Sequence, residues 1–263
     1  MQVQTEAGVI GLAGTETIEA GATPILFLHG VGSDKSVWEP QLTHFADQRR
    51  ALAIDYPGYG DSEFWPRATR DDYARAAWTL LDSLGVGQAH LCGLSLGGVV
   101  AIAMHAAQPE RCASLILADT FAVHPDGQAI HDRSVEAARS LGMRGLAESR
   151  LDSLLGSAAP AALRRELTGT MAAIDPAAYE LGAAAVWLAD QRDRVTTIRC
   201  PTLILCGSED RVTPPALSEE LKDMLPHAAL VEIAGAGHLA NAEQPAVFNR
   251  VLDAFLNGIE RSS

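Results

Sequence analysis

The sequence lacks a run of lysines or arginines, and it lacks a long uninterrupted apolar stretch. Its 20 basic residues are outnumbered by 33 acidic residues, which gives a net charge of −13. A protein that binds nucleic acid needs clustered positive charge to neutralise phosphates, so nucleic-acid binding is not expected. A membrane-spanning helix needs about 20 predominantly apolar residues in succession, so none is expected either.

Targeting and disulfide signals are also missing. Residues 1–6 have neither the basic start nor the apolar segment of a secretory signal peptide. None of the cysteines belongs to a Cys-x-x-Cys pair, and some of them end apolar runs, where free thiols are common. We therefore expect a cytoplasmic chain with four reduced, structural cysteines: Cys92, Cys112, Cys200 and Cys206.

Short apolar runs alternate with longer helical patterns. With 48% apolar and 20% charged residues, the chain of 263 residues can form a full core as a single α/β unit. The apolar runs end at or near glycine or aspartate, which is typical of strands buried on both faces. The predicted strands are 25–28, 51–54, 89–92, 115–118, 202–206 and 230–233, and the predicted helices are 69–84, 96–108, 214–225 and 245–256. This alternation predicts a mostly parallel sheet.

Two segments depart from the alternation. Residues 2–19 alternate and contain glycines, which predicts an antiparallel hairpin at the sheet edge. Residues 121–199 contain no strand-like run, and helix breaks are expected at Gly156, Pro160 and Pro176. We expect an all-helical insertion there, with a core formed by 1–120 and 200–263. Gly258 is expected to close the helix 245–256.

Residues 93–97, Gly-Leu-Ser-Leu-Gly, form a G-x-S-x-G motif between a predicted strand and a predicted helix. This context predicts a tight turn that strains the serine and leaves no room for side chains at Gly93 and Gly97. Ser95 would then project its hydroxyl above the sheet, beside the positive end of the following helix. We predict that Ser95 is a nucleophile.

A serine nucleophile needs a base and an acid that orients the base. His238 follows the last predicted strand, so it should lie at the same edge of the sheet as Ser95. Asp210 follows the preceding strand and gives the order Ser, Asp, His. Asp119 and Glu209 are alternatives for the acid, although the Glu209 side chain should point away from the histidine.

Other histidines are expected to have structural roles. We expect His44, His105, His131 and His227 to be solvated or packed without a paired partner, and His90 to be a strand residue. His29 precedes Gly30 in the loop after the strand 25–28, where it is expected to be a structural hydrogen-bonding residue.

Two backbone N–H groups should stabilise the negative oxygen that forms during acyl transfer. Leu96 directly follows the nucleophile, and Val31 lies in the glycine-containing loop after the strand 25–28. We predict that these two N–H groups form the oxyanion hole.

Signals for cofactors and metals are absent. The glycine-containing stretches near Gly30 and Gly58 do not complete a G-x-G-x-x-G dinucleotide motif, and no P-loop, H-E-x-x-H or zinc-type spacing occurs. Asp55 and Asp61 are expected to stabilise a turn rather than bind a metal. We therefore expect neither a cofactor nor a metal.

With these residues in order, the chain resembles the α/β-hydrolase superfamily over nearly its whole length. The resemblance rests on 29–30 (HG), 55–62 (DYPGYGDS), 93–98 (GLSLGG), 207–210 (GSED) and 237–238 (GH). It is most similar to 3-oxoadipate enol-lactonases and related small carboxylesterases, through 32–41 (GSDKSVWEPQ) and 238–245 (HLANAEQP). The resemblance implies an eight-stranded sheet flanked by helices, with a helical cap after the sixth strand. Dehalogenases and epoxide hydrolases of this superfamily carry aspartate at the position of Ser95, so their chemistry is disfavoured.

The expected function is a cofactor-independent serine hydrolase that cleaves an ester or lactone of a small carboxylic acid. Hydrolysis of a C–C bond or perhydrolysis by the same residues remains open, as does a non-catalytic receptor for a small molecule. In the cap, Trp187 is a candidate for substrate contact. One cap arginine could pair with a substrate carboxylate, and the candidates are Arg133, Arg139, Arg144, Arg164, Arg165 and Arg192. The sequence is compatible with a monomer or a homo-oligomer.

Overall fold

The computed structural model describes residues 1–15 and 22–261, and an eight-stranded sheet runs through its centre. The strands are β1 (Gln2–Thr5), β2 (Gly8–Gly14), β3 (Ile25–Leu28), β4 (Ala51–Ile54), β5 (Ala89–Leu94), β6 (Cys112–Ala118), β7 (Thr202–Gly207) and β8 (Ala229–Ile233). Their order across the sheet is β1-β2-β4-β3-β5-β6-β7-β8. Strands β3 to β8 are parallel, whereas β1 and β2 are antiparallel. The prediction of a mostly parallel sheet is confirmed.

The hairpin predicted over 2–19 corresponds to β1 and β2 at one edge of the sheet, and its last residues, 16–19, lie outside the described residues. At the other edge, β8 corrects a second prediction. It was expected to be buried on both faces, but Ala229 and Glu232 are exposed, and only Ile233 is buried. The reason is its position, because an edge strand has only β7 as a neighbour.

Helices connect the strands at the expected places. They are α1 (Glu39–Phe45), α2 (Arg70–Ser83), α3 (Leu96–Ala107), α4 (Gly127–Leu154), α5 (Ala161–Ala173), α6 (Pro176–Trp187), α7 (Arg192–Val195), α8 (Pro215–Met224), α9 (Ala240–Glu243) and α10 (Pro245–Glu260). Helix α2 begins with a capping box, in which Thr69 and Asp72 each accept a hydrogen bond from the other's backbone N–H. Helix α3 contacts β3, β5 and β6, which fixes its position beside the centre of the sheet.

The prediction that Gly258 closes the last helix after residue 256 is wrong, because α10 continues to Glu260. A glycine in a helix costs only about 1 kcal/mol relative to alanine. Tertiary contacts can outweigh that cost, and Glu260 beyond the glycine accepts hydrogen bonds from the buried Arg49.

The chain between β6 and β7 is helical, as predicted, and consists of α4 to α7. Its helices break close to Gly156, Pro160 and Pro176, and α4 also contains a kink at Gly142, where φ is 69°. Residues 121–199 stay a prediction as the exact bounds of a separate cap. No helix in the described ranges is both long enough and apolar enough to cross a bilayer.

Candidate active site

Ser95 lies between the end of β5 and the start of α3 in a strained backbone conformation, with φ 55° and ψ −113°. Its backbone N–H donates to the Ala118 carbonyl at 2.9 Å, and its carbonyl accepts from the Thr120 hydroxyl at 2.9 Å. These bonds to the segment at the end of β6 hold the strained turn in place.

Two glycines make this turn possible. A Cβ atom at Gly93 would overlap the Gly97 carbonyl group, and a Cβ atom at Gly97 would overlap the Leu28 carbonyl group. The backbones of the turn and of β3 therefore approach each other as closely as only glycine allows. This local geometry is what the G-x-S-x-G spacing predicted.

His238 and Asp210 form a buried, hydrogen-bonded pair. The imidazole Nδ1 and the carboxylate Oδ2 are 2.8 Å apart, and the side chains of both residues are nearly inaccessible to solvent. Asp210 also accepts from the Thr213 hydroxyl at 2.6 Å, and from the backbone N–H groups of Val212 and Thr213 at 2.7 and 3.0 Å. Burial raises the pKa of Asp210, but the neighbouring His238 and the hydrogen bonds outweigh it, so the pKa lies below its usual value. Asp210 is therefore ionised at neutral pH.

This arrangement fixes the tautomer of His238. The carboxylate of Asp210 can only accept, so Nδ1 carries the proton and donates a hydrogen bond to Asp210. The other ring nitrogen, Nε2, is left as a proton acceptor, which is the state that a general base requires. The backbone N–H of His238 donates to the carbonyl of Leu154 at the end of α4, at 2.8 Å.

Ser95 and His238 line the same pocket. Within residues 1–15 and 22–261, the Ser95 hydroxyl is buried without a hydrogen-bond partner, so it does not bond directly to the imidazole. Bonds between a nucleophile and its base are often long before a substrate is bound. The pocket therefore brings the two side chains together, and no hydrogen bond joins them in the described part of the chain.

Val31 and the neighbouring Gly30 and Gly32 line this pocket as well. In the described part of the chain, neither the Val31 nor the Leu96 backbone N–H donates a hydrogen bond to protein. Both donors are thus available, and their role as the oxyanion hole stays a prediction.

His29 has the structural role expected of it. Its Nδ1 lies 2.8 Å from the Gly30 carbonyl, and the Tyr56 backbone N–H donates to its Nε2 at 3.3 Å. Desolvation lowers the pKa of this buried imidazole. A neutral ring with both nitrogens occupied has no proton acceptor left for catalysis.

The carboxylates near the loop 55–62 are occupied by cationic and backbone donors. Asp55 accepts from the Lys35 ammonium at 2.6 Å, from the Lys35 backbone at 2.9 Å and from the Asp61 backbone at 2.9 Å. This confirms the expected turn. No cluster of three or more His, Cys, Asp or Glu side chains suited to a metal ion occurs in residues 1–15 and 22–261.

The two alternative acids bond elsewhere. The buried Asp119 accepts from the Gly207 backbone N–H at 2.7 Å, and burial together with the charge of Asp210 raises its pKa well above the usual value. Glu209 points toward the chain after α4, where it accepts from the Ser157 backbone N–H at 2.7 Å.

The expectation that His44 and His131 have no paired partner is wrong. His44 Nε2 lies 2.8 Å from the carboxylate of Asp253, and His131 Nδ1 lies 2.8 Å from that of Asp132. Asp253 is far away in sequence, so the first pair depends on how α10 packs against α1.

Side chains from the segment between β6 and β7 cover one side of the pocket. Trp187 lines it with an almost fully buried ring, stacked on Phe121 at a centroid distance of 5.9 Å. The segment contributes Arg150, Leu154, Leu167, Met171 and Trp187 to the pocket.

Arg150 was not among the cap arginines singled out from the sequence, and helical spacing could have identified it. It lies four residues after Leu146 and four before Leu154, both of which are buried. Positions four apart share a helix face, so Arg150 is on the inward face of α4.

The chain is similar to known proteins over most of its length. Residues 25–251 match the model of the Alpha/beta hydrolase family. The chain is 28% identical to 3-oxoadipate enol-lactonase 1 of Acinetobacter baylyi, across 91% of this chain and 90% of that protein. It is 30% identical to a putative carbamate hydrolase of Azorhizobium caulinodans, across 93% and 95% of the two chains.

Solved structures are similar over almost the whole chain. A thermophilic esterase from Thermogutta terrifontis, solved with malate bound, has a TM-score of 0.89 at 28% identity, with 98% of each chain covered. The enol-lactonase from Burkholderia xenovorans LB400 also has a TM-score of 0.89, across 98% and 100% of the two chains, but at 24% identity it shows likeness of fold alone. The family match over residues 25–251 shows that the chain belongs to the α/β-hydrolase family.

Proposed function

We propose that the protein is a serine hydrolase that cleaves a carboxylic ester or a lactone of a small substrate through an acyl-enzyme intermediate. The observation that carries the proposal is the pocket shared by Ser95 and His238. Ser95 has a strained backbone and a hydroxyl without a hydrogen-bond partner in the described residues, and His238 Nδ1 is hydrogen-bonded to Asp210. The similarity to 3-oxoadipate enol-lactonase and to a solved esterase supports a carbonyl substrate of this class.

In the first half of the reaction, Ser95 Oγ forms a bond to the substrate carbonyl carbon as its proton moves to His238 Nε2. The carbonyl oxygen becomes negative and accepts hydrogen bonds from the Val31 and Leu96 N–H groups. Asp210 stabilises the imidazolium formed in this step. The C–O bond to the leaving group then breaks, and the departing oxygen takes the proton from His238.

In the second half, a water molecule gives a proton to His238 and its oxygen forms a bond to the acyl carbon. The bond to Ser95 breaks, the serine oxygen regains the proton, and the carboxylic acid leaves. The protein needs no cofactor for this sequence of steps.

We further propose that residues 121–199 form a cap over a core made of 1–120 and 200–263. The apolar side chains that this segment contributes to the pocket support the proposal, because they would exclude water and contact the acyl group. Trp187 is the cap residue proposed to contact the substrate.

The test combines a variant with a probe. Ser95→Ala should lower kcat for p-nitrophenyl acetate by about 10³-fold or more, since nothing replaces the nucleophile. A fluorophosphonate probe should label the wild-type protein and the control Ser140→Ala, which changes an exposed serine on α4, but not Ser95→Ala. Near-normal hydrolysis by Ser95→Ala would refute the mechanism.

A substrate panel separates the remaining alternatives. An enol-lactone and p-nitrophenyl acetate report lactone and ester cleavage, a vinylogous 1,5-diketone reports C–C cleavage, and hydrogen peroxide as the acyl acceptor reports perhydrolysis. Turnover of the diketone well above that of the esters would favour C–C hydrolysis. Absence of labelling at Ser95 would favour a non-catalytic receptor.

A further inference from the structure

We propose that segment 152–157, where α4 ends and the chain turns toward α5, positions the proposed acid and base, Asp210 and His238. The inference rests on the proposed function, because it names positioning residues for that reaction. It gives the helical chain between β6 and β7 a second task, since one part of this chain aligns the acid and the base in addition to covering the pocket.

The first link joins segment 152–157 to the loop that carries His238. The His238 backbone N–H donates to the Leu154 carbonyl at 2.8 Å. Glu243 accepts from the Gly156 N–H at 2.7 Å and from the Gly237 N–H at 2.9 Å, so one carboxylate holds both chains. These bonds lie at His238 and at the residue before it, so they fix the backbone from which the imidazole extends.

The same two chains approach each other too closely for side chains. A Cβ atom at Gly237 would lie 2.5 Å from the Gly156 nitrogen, and a Cβ atom at Gly156 would lie 2.8 Å from the Gly235 carbonyl oxygen. These neighbours are backbone atoms, which cannot turn aside as the end of a flexible side chain can. The position of the segment therefore determines the position of the His238 loop.

The second link joins segment 152–157 to the loop that carries Asp210. Glu209 accepts from the Ser157 backbone N–H at 2.7 Å and from the Ser157 hydroxyl at 3.2 Å. On the other side of the acid, the Arg211 guanidinium donates to the Asp152 carbonyl at 3.1 Å. The two neighbours of Asp210 in the chain are thus bonded to the segment whose other residues hold the base.

Segment 152–157 also reaches the pocket. Leu154 lines the pocket together with Ser95 and His238, and the carbonyl of the same leucine accepts from the His238 N–H. In residues 1–15 and 22–261, no hydrogen bond joins Ser95 to His238, so the reaction requires a closer approach of these two side chains. A misplacement of about 1 Å can cost about a hundredfold in rate, so the backbone that sets this approach controls the rate.

Gly156→Ala tests the first link, because it inserts a Cβ atom between segment 152–157 and the His238 loop. We expect kcat for p-nitrophenyl acetate to fall by about tenfold to a hundredfold, with KM within about threefold, because the base is displaced. The matched control is Gly169→Ala on α5. Apart from the backbone of α5 itself, nothing in the described chain lies within 4 Å of that new Cβ, so kcat should stay within about twofold of wild type.

A spectroscopic measurement separates positioning from folding. The proton in the hydrogen bond from His238 Nδ1 to Asp210 gives a resonance far downfield in the proton NMR spectrum, and its shift depends on the geometry of that bond. We expect this resonance to move or broaden in Gly156→Ala and to stay unchanged in Gly169→Ala. Labelling of Ser95 by a fluorophosphonate probe should be slower in Gly156→Ala but still complete, which shows that all molecules are folded.

Substitutions of Glu209, which is only partly buried, test the second link. Glu209→Ala removes the acceptor for Ser157, so kcat should fall by about threefold to tenfold. Glu209→Gln keeps an oxygen for the Ser157 backbone N–H and offers its amide to the hydroxyl, which can also accept, so kcat should recover to within about twofold of wild type. The control Glu148→Ala removes an exposed glutamate of α4 and should change neither kcat nor the resonance.

The proposal is overturned if Gly156→Ala matches Gly169→Ala in both kcat and the resonance, or if its kcat falls while the resonance does not move. If Gly156→Ala does not fold, Glu209→Ala decides, and an unchanged kcat with an unmoved resonance contradicts the positioning role. If the wild-type protein neither hydrolyses the ester nor is labelled at Ser95, the proposed function itself fails. The resonance still tests the positioning in that case, because it reports the geometry of the bond between the imidazole and the carboxylate without turnover.

Discussion

Strand β5 has a serine and a histidine near each of its ends, and the two sets differ in what surrounds the serine. Near its first residues, His90 Nδ1 lies 2.8 Å from the hydroxyl of Ser114, and His90 Nε2 lies 4.0 Å from a carboxylate oxygen of Glu260. Both side chains are buried, and Arg49 forms an ion pair with Glu260. A serine, a histidine and an acid are thus gathered at this end too.

At the other end of β5, the serine itself is unpaired. Ser95 lies in a strained turn beside a pocket, and its hydroxyl has no hydrogen-bond partner among residues 1–15 and 22–261. His238 is hydrogen-bonded to Asp210 through Nδ1. At the first end, the imidazole contacts the serine, but no acid of the described residues lies within hydrogen-bonding distance of it. The comparison teaches that residue types alone do not define a catalytic site. The Ser95 end differs in two features: its serine hydroxyl faces a cavity without a hydrogen-bond partner in the described residues, and an acid fixes the tautomer of its histidine.

The largest effect is expected from replacing His238 with glutamine, and the same replacement at His90 is the comparison. His238→Gln removes the proposed base, so kcat for p-nitrophenyl acetate should fall by about 10³-fold or more. His90→Gln leaves the pocket untouched and should keep kcat within about threefold. The check is steady-state kinetics on both variants, with circular dichroism as a control for folding. Comparable losses of kcat in the two folded variants would erase the distinction between the ends of β5.

The second effect compares the two buried acids near the end of β5 that precedes Ser95. Asp210→Asn keeps the shape but no longer stabilises the imidazolium, so kcat should fall by about 10²- to 10⁴-fold. Asp119→Asn should stay within about fivefold, because burial raises the Asp119 pKa and a neutral side chain already suits the site. If Asp119→Asn is the more damaging substitution while Asp210→Asn remains active, Asp119 rather than Asp210 is the orienting acid.

The third effect concerns stability at acidic pH. Burial and the charge of Arg49 lower the pKa of His90 from 6.5 to about 4. Below pH 6.5, the unfolded chain takes up a proton that the folded protein does not, so stability should fall until the pH passes about 4. The loss from this group reaches about 3 kcal/mol. Urea unfolding of wild type and His90→Gln at pH 7.5 and 4.5 measures it.

His90→Gln should lose less stability than wild type when the pH is lowered from 7.5 to about 4.5. A matched substitution of the exposed His227, His227→Gln, should reproduce the wild-type dependence. An unchanged pH dependence in His90→Gln would show that other groups cause the acid sensitivity.

The same comparison explains which features could be predicted from the sequence. The turn at Ser95 was predictable because the clashes that require Gly93 and Gly97 involve backbone atoms of the turn itself and of the neighbouring β3. The meeting of His238 with Asp210 was predictable because parallel strands deliver their following loops to one edge of the sheet.

Features that depend on packing between distant segments were not predictable in this way. The pair of His44 with Asp253 and the contact of His90 with Ser114 require the orientation of side chains on separate elements. The exposure of β8 requires its place in the strand order, and the presence of Arg150 in the lining of the pocket requires the position of α4.

The smallest effect contrasts two glutamates, one at each end of β5. Glu243 accepts backbone hydrogen bonds from Gly156 at 2.7 Å and from Gly237 at 2.9 Å, so it joins the chain after α4 to the loop that carries His238. Glu243→Gln keeps one acceptor oxygen and replaces the other with a donor, which cannot pair with a backbone N–H. The His238 loop should loosen, and kcat should fall by about three- to tenfold.

Stability should respond to different extents in the two variants. Burial raises the pKa of Glu243, so glutamine avoids the cost of a buried charge, and this gain offsets part of the lost backbone hydrogen bond. Glu243→Gln should therefore lower the urea midpoint only slightly. Glu260→Gln instead weakens the ion pair with the buried Arg49, so it should lower the midpoint while kcat stays unchanged. A loss of stability without a loss of kcat in Glu243→Gln would mean that Glu243 only supports the fold. A loss of kcat without a loss of stability would instead show that Glu243 positions His238, because a purely structural contact has no reason to affect kcat alone.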